Sequence, residues 1–189
     1  MNPEKSLEII QSMMTESKRS FHKVSPYFLI WGVLMSIAGI TESIVVYQLD
    51  MKQGFAVWGV MGIVGGIISM IYSKRESKNQ PAKNFHDIIY NYVWGGFGIT
   101  LFLVIVLSVI NKINPTPYIL LLTGLPTFVT GGLAKHTPLK LGGFVFWIAG
   151  ILAFLVSKEF SGIVFSIAIL FGYLVPGYLL LKQEKKANA

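Results

Sequence analysis

Six apolar stretches, each about as long as a helix needs to cross a bilayer, leave this chain little freedom in the fold it can adopt. A hydrocarbon core roughly 30 Å thick takes about 20 residues of α-helix. Within it, only helices and closed barrels keep every backbone polar group paired. The stretches run from Pro26 to Leu49, Gly54 to Tyr72, Ile88 to Ile110, Pro117 to Ala134, Leu139 to Ser157 and Ser161 to Leu181. With their short connections they occupy most of the 189 residues, so no second domain is expected. A hydrophobic share of 53% and a mean hydropathy of +0.60 belong to a chain whose solvent is lipid. The predicted fold is all-α: a polytopic membrane protein of six transmembrane helices.

The 16 Lys and Arg residues outnumber the 9 Asp and Glu, giving a net charge of +7. In a soluble protein that excess would suggest nucleic acid; here its placement along the chain carries the information, and no nucleic-acid partner is expected. Thirteen basic residues fall before the first span, between the second and third, between the fourth and fifth, and after the sixth. These are Lys5, Lys18, Arg19 and Lys23; Lys74, Arg75, Lys78 and Lys83; Lys135 and Lys140; and Lys182, Lys185 and Lys186. Only Lys52, Lys112 and Lys158 fall on the other side. Positive residues near span ends stay in the cytoplasm, which predicts an N-in, C-in topology. The absence of cysteine excludes disulfides, thiol catalysis and thiolate metal sites. The polar N-terminus lacks the apolar core and small-residue cleavage site of a signal peptide.

Asn2 and Pro3 can start a helix in which Leu7, Ile10, Met14 and Phe21 recur at helical spacing, with Lys5, Lys18, Arg19 and Lys23 on or beside the polar side. Such a helix suits the anionic cytoplasmic leaflet; a frayed tail or a lid on the bundle is the competing reading. The expected organisation is therefore a cytoplasmic amphipathic segment over 1–25, a six-helix domain over 26–181 and a basic cytoplasmic tail over 182–189.

A faint repeat runs through the chain. Phe21-His22 precedes Trp31-Gly32 much as Phe85-His86 precedes Trp94-Gly95, and Gly65-Gly66 late in the second span echoes Gly131-Gly132 late in the fourth. Trp147 and Pro176-Gly177 fit a third, degraded copy, giving three tandem hairpins of like orientation, unless the match is chance among apolar segments. The Trp-Gly entries, the stretch Thr130-Gly131-Gly132-Leu133 leading to Pro138 and Gly142-Gly143, and the ending Gly172 to Tyr178 carry a resemblance. They look like a group of small bacterial inner-membrane proteins of similar length that brings no established activity. In architecture the chain is also similar to acid-resistance membrane proteins of the HdeD type. The resemblance implies a multi-pass protein of the bacterial inner membrane, with a stress-response role among the possibilities.

Glu42 is the one ionisable residue well inside a predicted span, flanked by Thr41 and Ser43, which can hydrogen-bond either of its protonation states. A carboxylate in hydrocarbon faces a bundle interior or cavity by default, which makes these three residues the ion or substrate candidates. The competing reading pairs Glu42 with Lys52, Lys112 or Lys158 near the outer interface. Gly59, Gly62, Gly66, Ser69 and Ser73 line one face of the second helix, for packing within the monomer or between copies. Similar seams run through Gly124, Thr127 and Gly131 and through Gly143, Gly150 and Ser157. Pro126 and Pro176 interrupt the fourth and sixth spans, as hinges around a cavity or as packing kinks. Trp31, Trp58, Trp94 and Trp147 read as interfacial anchors. His22, His86 and His136 recur on one side and would form a metal site only if the repeat brought them together.

No P-loop, Gly-x-Ser-x-Gly or His-Glu-x-x-His motif is present, and no intramembrane carboxylate pair offers hydrolytic chemistry. The expected protein is non-enzymatic and without a cofactor. It either moves a small solute or ion through the bundle using Glu42, or serves as a filled bundle in a stress or regulatory role. Its expected partners are the bilayer, with its anionic leaflet, and a second copy or another membrane protein. The Lys and Arg count makes a direct prediction: reporters fused after Lys186 or within Ser73 to Asp87 read cytoplasmic, and those near Gln53 or Lys158 read periplasmic. An external signal from the Ser73 to Asp87 segment contradicts this topology.

Overall fold

The computed structural model describes residues 24–47, 56–79 and 85–187. The amphipathic segment, His22, and the turn holding Asp50 and Lys52 lie outside them. The described residues are helical with short turns and contain no strand. The helices are α1 (Ser25–Tyr47), α2 (Ala56–Asn79), α3 (Phe85–Asn111), α4 (Thr116–Leu133), α5 (Thr137–Leu155), α6 (Lys158–Ile169) and α7 (Val175–Ala187). A π-helical turn over Leu170–Leu174 joins α6 to α7 as one rod. Five of these elements, counting that rod once, are long and apolar enough to span a bilayer, and α1 is apolar over Ser25–Thr41.

Two boundaries differ from the hydropathy reading. The helix that leaves the second apolar stretch does not stop at Tyr72 but continues through Ser73 to Asn79, because Lys, Arg and Glu are good helix formers even where they cannot enter lipid. The long basic loop expected over Ser73 to Asp87 is therefore mostly helix. The basic tail is likewise the end of α7, which runs to Ala187.

The helices do not share the core equally. The contact of α4 with α5 is the most extensive, the α6–α7 rod packs on α5 and α1, and α2 rests on α1 while α3 rests on α4. Glycine makes the central contact possible. A Cβ on Gly131 would lie 2.5 Å from the Lys140 backbone nitrogen, and one on Gly143 would lie 2.9 Å from the Gly124 carbonyl oxygen. Gly150 sits against Leu121 and Gly124 against the Trp147 indole. In lipid, where apolar surface gains little by meeting apolar surface, such close backbone approach is a main source of helix association.

Pro176 shapes the sixth span. It has no N–H for the carbonyl four residues earlier, that of Gly172. The chain widens there, and the Val175 N–H bonds to the Leu170 carbonyl five residues back. The Gly172 carbonyl points at Gly142, where a Cβ would lie 2.5 Å from its oxygen. Pro126 and Pro176 are themselves among the fully buried side chains, so both breaks are packed.

At Gly59, Gly62 and Gly66 an added Cβ would meet no described atom within 4 Å. Along the predicted small-residue face the three glycines have no described neighbour, whereas Ser69 accepts from the Trp31 indole of α1. The glycine of α2 that does admit a neighbour is Gly65, set against the Trp31 ring and Leu34. Substitution to alanine separates the two kinds of position. Gly143→Ala and Gly131→Ala press a methyl onto backbone and should cost about 1–3 kcal/mol in unfolding titrations in detergent. Gly62→Ala should leave monomer stability unchanged or raise it by up to about 1 kcal/mol through helix propensity. A large loss at Gly62 alone would mean that a neighbour covers that face.

Candidate functional site

Most of the basic residues in the described helices and turns collect at one end of the bundle, where α1, α3 and α5 begin and α2, α4 and α7 end. Glu184 of α7 closes this end by accepting from the backbone N–H groups of Val24 at 3.2 Å and Ser25 at 3.3 Å, and from the Ser25 hydroxyl. A carboxylate at a helix N-terminus satisfies otherwise orphaned donors and opposes the helix dipole. The start of α1 is thus fixed and fully buried.

Three residues further on, α1 presents Tyr27, Phe28 and Trp31 to a cavity of about 310 Å³. From α2 come Ser69, Met70 and Ser73, from α3 Tyr90, Asn91 and Trp94, and from the π turn Tyr173. Because α2 and α3 each lean on a different core helix and do not pack extensively on each other, the cavity opens sideways between them, past the exposed Met70 and Asn91. Its rings brace one another. Phe28 meets Trp94 and Tyr173 edge to face at centroid distances of 5.8 and 5.2 Å, Tyr90 meets Trp94 at 5.9 Å, and Tyr27 meets Tyr72 at 5.2 Å. Such pairs contribute on the order of 1 kcal/mol each beyond burial.

Hydrogen bonds fix the orientation of the two tryptophans. Trp31 Nε1 donates to Ser69 Oγ at 3.1 Å, and Trp94 Nε1 donates to Thr130 Oγ1 at 3.0 Å. In each of the first two hairpins, then, the tryptophan of the first helix reaches a hydroxyl late in the second. Trp147 packs on Gly124 and Phe128. Behind the cavity, Thr123, Thr127 and Thr130 donate to the carbonyls of Ile119, Thr123 and Pro126. With its own proton so used, Thr127 is left to accept from the Tyr173 hydroxyl, with which it is hydrogen-bonded. Each of these hydroxyls is satisfied within the bundle, as burial in lipid requires.

The residues singled out in the sequence are dispersed. Glu42 lies on α1 about 25 Å beyond Ser25, towards the far end of the helix; its side chain and that of Ser43 are outside the described set. Thr41 is half-buried. Of the small-residue candidates on α2, Ser69 and Ser73 line the cavity. Trp31 and Trp94, read as interfacial anchors, instead turn their N–H groups inward to α2 and α4. His86 opens α3, while His136 is buried and caps α5 through Nδ1, which accepts from the Leu139 N–H at 3.3 Å. Among the described residues no group of three or more His, Asp or Glu side chains is placed to hold a metal ion. Tyr27, Phe28, Met70, Tyr90 and Asn91 belonged to no motif, whereas Trp31, Trp94, Ser69, Ser73 and Tyr173 fall in stretches that the sequence singled out.

No protein-family model, curated protein or solved structure matches this chain.

His136, in the turn between α4 and α5, makes the site's surroundings sensitive to pH. Burial disfavours its charged form and pushes its pKa below the usual 6.5, and protonation at Nδ1 also removes the cap. A lowered native pKa means that the unfolded chain binds more protons, so stability is complete above about pH 6.5 and falls as pH drops below it. Unfolding in detergent at pH 7.5 and 5.5 should show this loss, and His136→Asn, which retains a capping oxygen, should remove His136's share of it. An unaltered pH dependence in that variant would assign the effect elsewhere.

Proposed function

We propose that this protein binds a small, largely apolar molecule within the bilayer, taking it in sideways between α2 and α3. The observation that carries this reading is the aromatic cavity of about 310 Å³, set beside a filled core rather than along its axis. A mostly apolar recess of roughly 300 Å³ or more that carries a few polar groups is the usual form of a small-molecule site.

The basic end belongs in the cytoplasm by the asymmetry of Lys and Arg, which makes the pocket accessible from the inner leaflet of a multi-pass membrane protein. Conduction through the bundle with Glu42 as the coupling residue has less support. Phe28, Phe146, Leu120 and Leu139 fill the centre, and both proline breaks are packed. The described lining is aromatic, aliphatic and neutral polar, which suits binding, or binding followed by release to another membrane component, as the proposed activity.

A second reading is favoured by the open face at Gly59, Gly62 and Gly66, which suits close approach by a helix of another chain. In that reading α2 is the arm through which the bundle meets a membrane partner.

The pocket reading is tested with indole as a neutral aromatic probe. At a concentration one hundredfold above its Kd, indole should raise the melting temperature in detergent by on the order of 5 °C. Ser73→Trp, which fills the pocket from α2, should abolish the shift. No shift in the wild-type protein, or the same shift in the filled variant, would refute binding at this site.

A further inference from the structure

Resting on the pocket-binding reading, the next question is what chemistry the pocket selects. Six of the lining side chains are aromatic, from Tyr27 and Phe28 on α1 to Tyr173 on the π turn, and none of the ten is charged. This is notable in a chain of net charge +7, whose basic residues crowd the same end of the bundle. Lys74 and Arg75 follow Ser73 directly on α2, yet both are exposed and neither lines the cavity.

The carboxylates are placed differently. Glu76 lies one turn beyond Ser73 on α2, beside Lys74 and Arg75 and within electrostatic range of Tyr27 and Tyr72, so a carboxylate stands close to the aromatic lining. Deeper in, both indole N–H groups are engaged by Ser69 and Thr130, and the Tyr27 hydroxyl is hydrogen-bonded to Ser73. What the rings can still offer a guest is their π-electron density.

We infer that the pocket takes a lipophilic organic cation: an ammonium group carried on an apolar or aromatic body, with Trp31, Trp94, Phe28 and the tyrosines around the charge and Glu76, one turn beyond Ser73 on α2, as the nearby counter-charge. Ring faces attract a cation most strongly where water is excluded. An anion would meet no basic side chain in the lining. A neutral hydrocarbon would fit the apolar walls and gain nothing from Glu76. The lateral opening suits a cation whose apolar body partitions into the membrane before it binds.

The experiment uses the full chain in nanodiscs of phosphatidylcholine, whose zwitterionic surface does not itself concentrate cations. Benzyltrimethylammonium is compared with neopentylbenzene, its neutral isostere, in which carbon replaces the quaternary nitrogen. Binding is followed by isothermal titration and corrected for partition into empty nanodiscs. The cation should bind about tenfold more tightly. Glu76→Gln should weaken the cation several-fold and leave the isostere unchanged. Equal affinity for the two probes, or tighter binding of the isostere, would overturn the inference while leaving the pocket as a general apolar site. Binding of neither probe would overturn the inference, and with failure of the indole test the pocket reading falls as well. If Glu76→Gln does not fold, the comparison of the two probes on the wild-type protein still decides.

Discussion

The close approach of α4 to α5 is the contact on which the rest of the bundle depends. Gly131 lies against the Lys140 backbone and Gly143 against the Gly124 carbonyl, so the two helices meet backbone to backbone rather than through side chains. In lipid that proximity supplies dispersion contacts which hydrophobic burial cannot, since lipid tails are as apolar as the side chains they would replace. Onto this pair the α6–α7 rod is set by a second close contact, the Gly172 carbonyl against Gly142. The carbonyl is free to make it because Pro176 cannot donate to it. Helix α1 packs on the rod, and the core closes around Phe28, Phe146 and Tyr173.

The consequence for function lies in what this core leaves outside. Helices α2 and α3 each have one main support, α1 and α4 respectively, and little of their apolar length is buried in the bundle. Two helices held from different sides, and not by each other, leave a cleft. The aromatic residues at the basic end of α1 and α3 turn that cleft into a shaped pocket instead of a plain groove. The threonine series on α4 lends rigidity from behind. Thr130 bonds the Pro126 carbonyl and receives the Trp94 N–H, so the α3 wall is tied to the core helix at the level of the pocket.

Much of the scaffold was legible in the sequence, since apolar length and bilayer thickness leave few alternatives. The expected fourth and fifth spans, Pro117 to Ala134 and Leu139 to Ser157, nearly coincide with Thr116–Leu133 and Thr137–Leu155. The end of α2 was missed because hydropathy reports where lipid stops, not where a helix does. The glycine spacing on α2 located a small-residue face, but spacing alone cannot say whether a neighbour is present, and the packed position is Gly65, not Gly62 or Gly66. The pocket was hidden for a different reason. Its residues come from three helices and the π turn, at sequence distances from one to well over a hundred residues, and aromatic side chains near a membrane surface ordinarily mean anchoring. Glu42 drew notice because a lone carboxylate in an apolar run is conspicuous in one dimension. The cavity is formed by ordinary residues whose meeting exists only in three.

The central claim is that a ligand-sized space, walled by aromatic rings and open to lipid between α2 and α3, is a property of the folded protein in its membrane. A crystal structure grown from lipid tests it most directly. The account predicts well-ordered density for a non-protein molecule against Trp31, Trp94 and Tyr173, with α2 and α3 apart at Met70 and Asn91. A structure in which α2 closes onto α3 and leaves no space between them would contradict it.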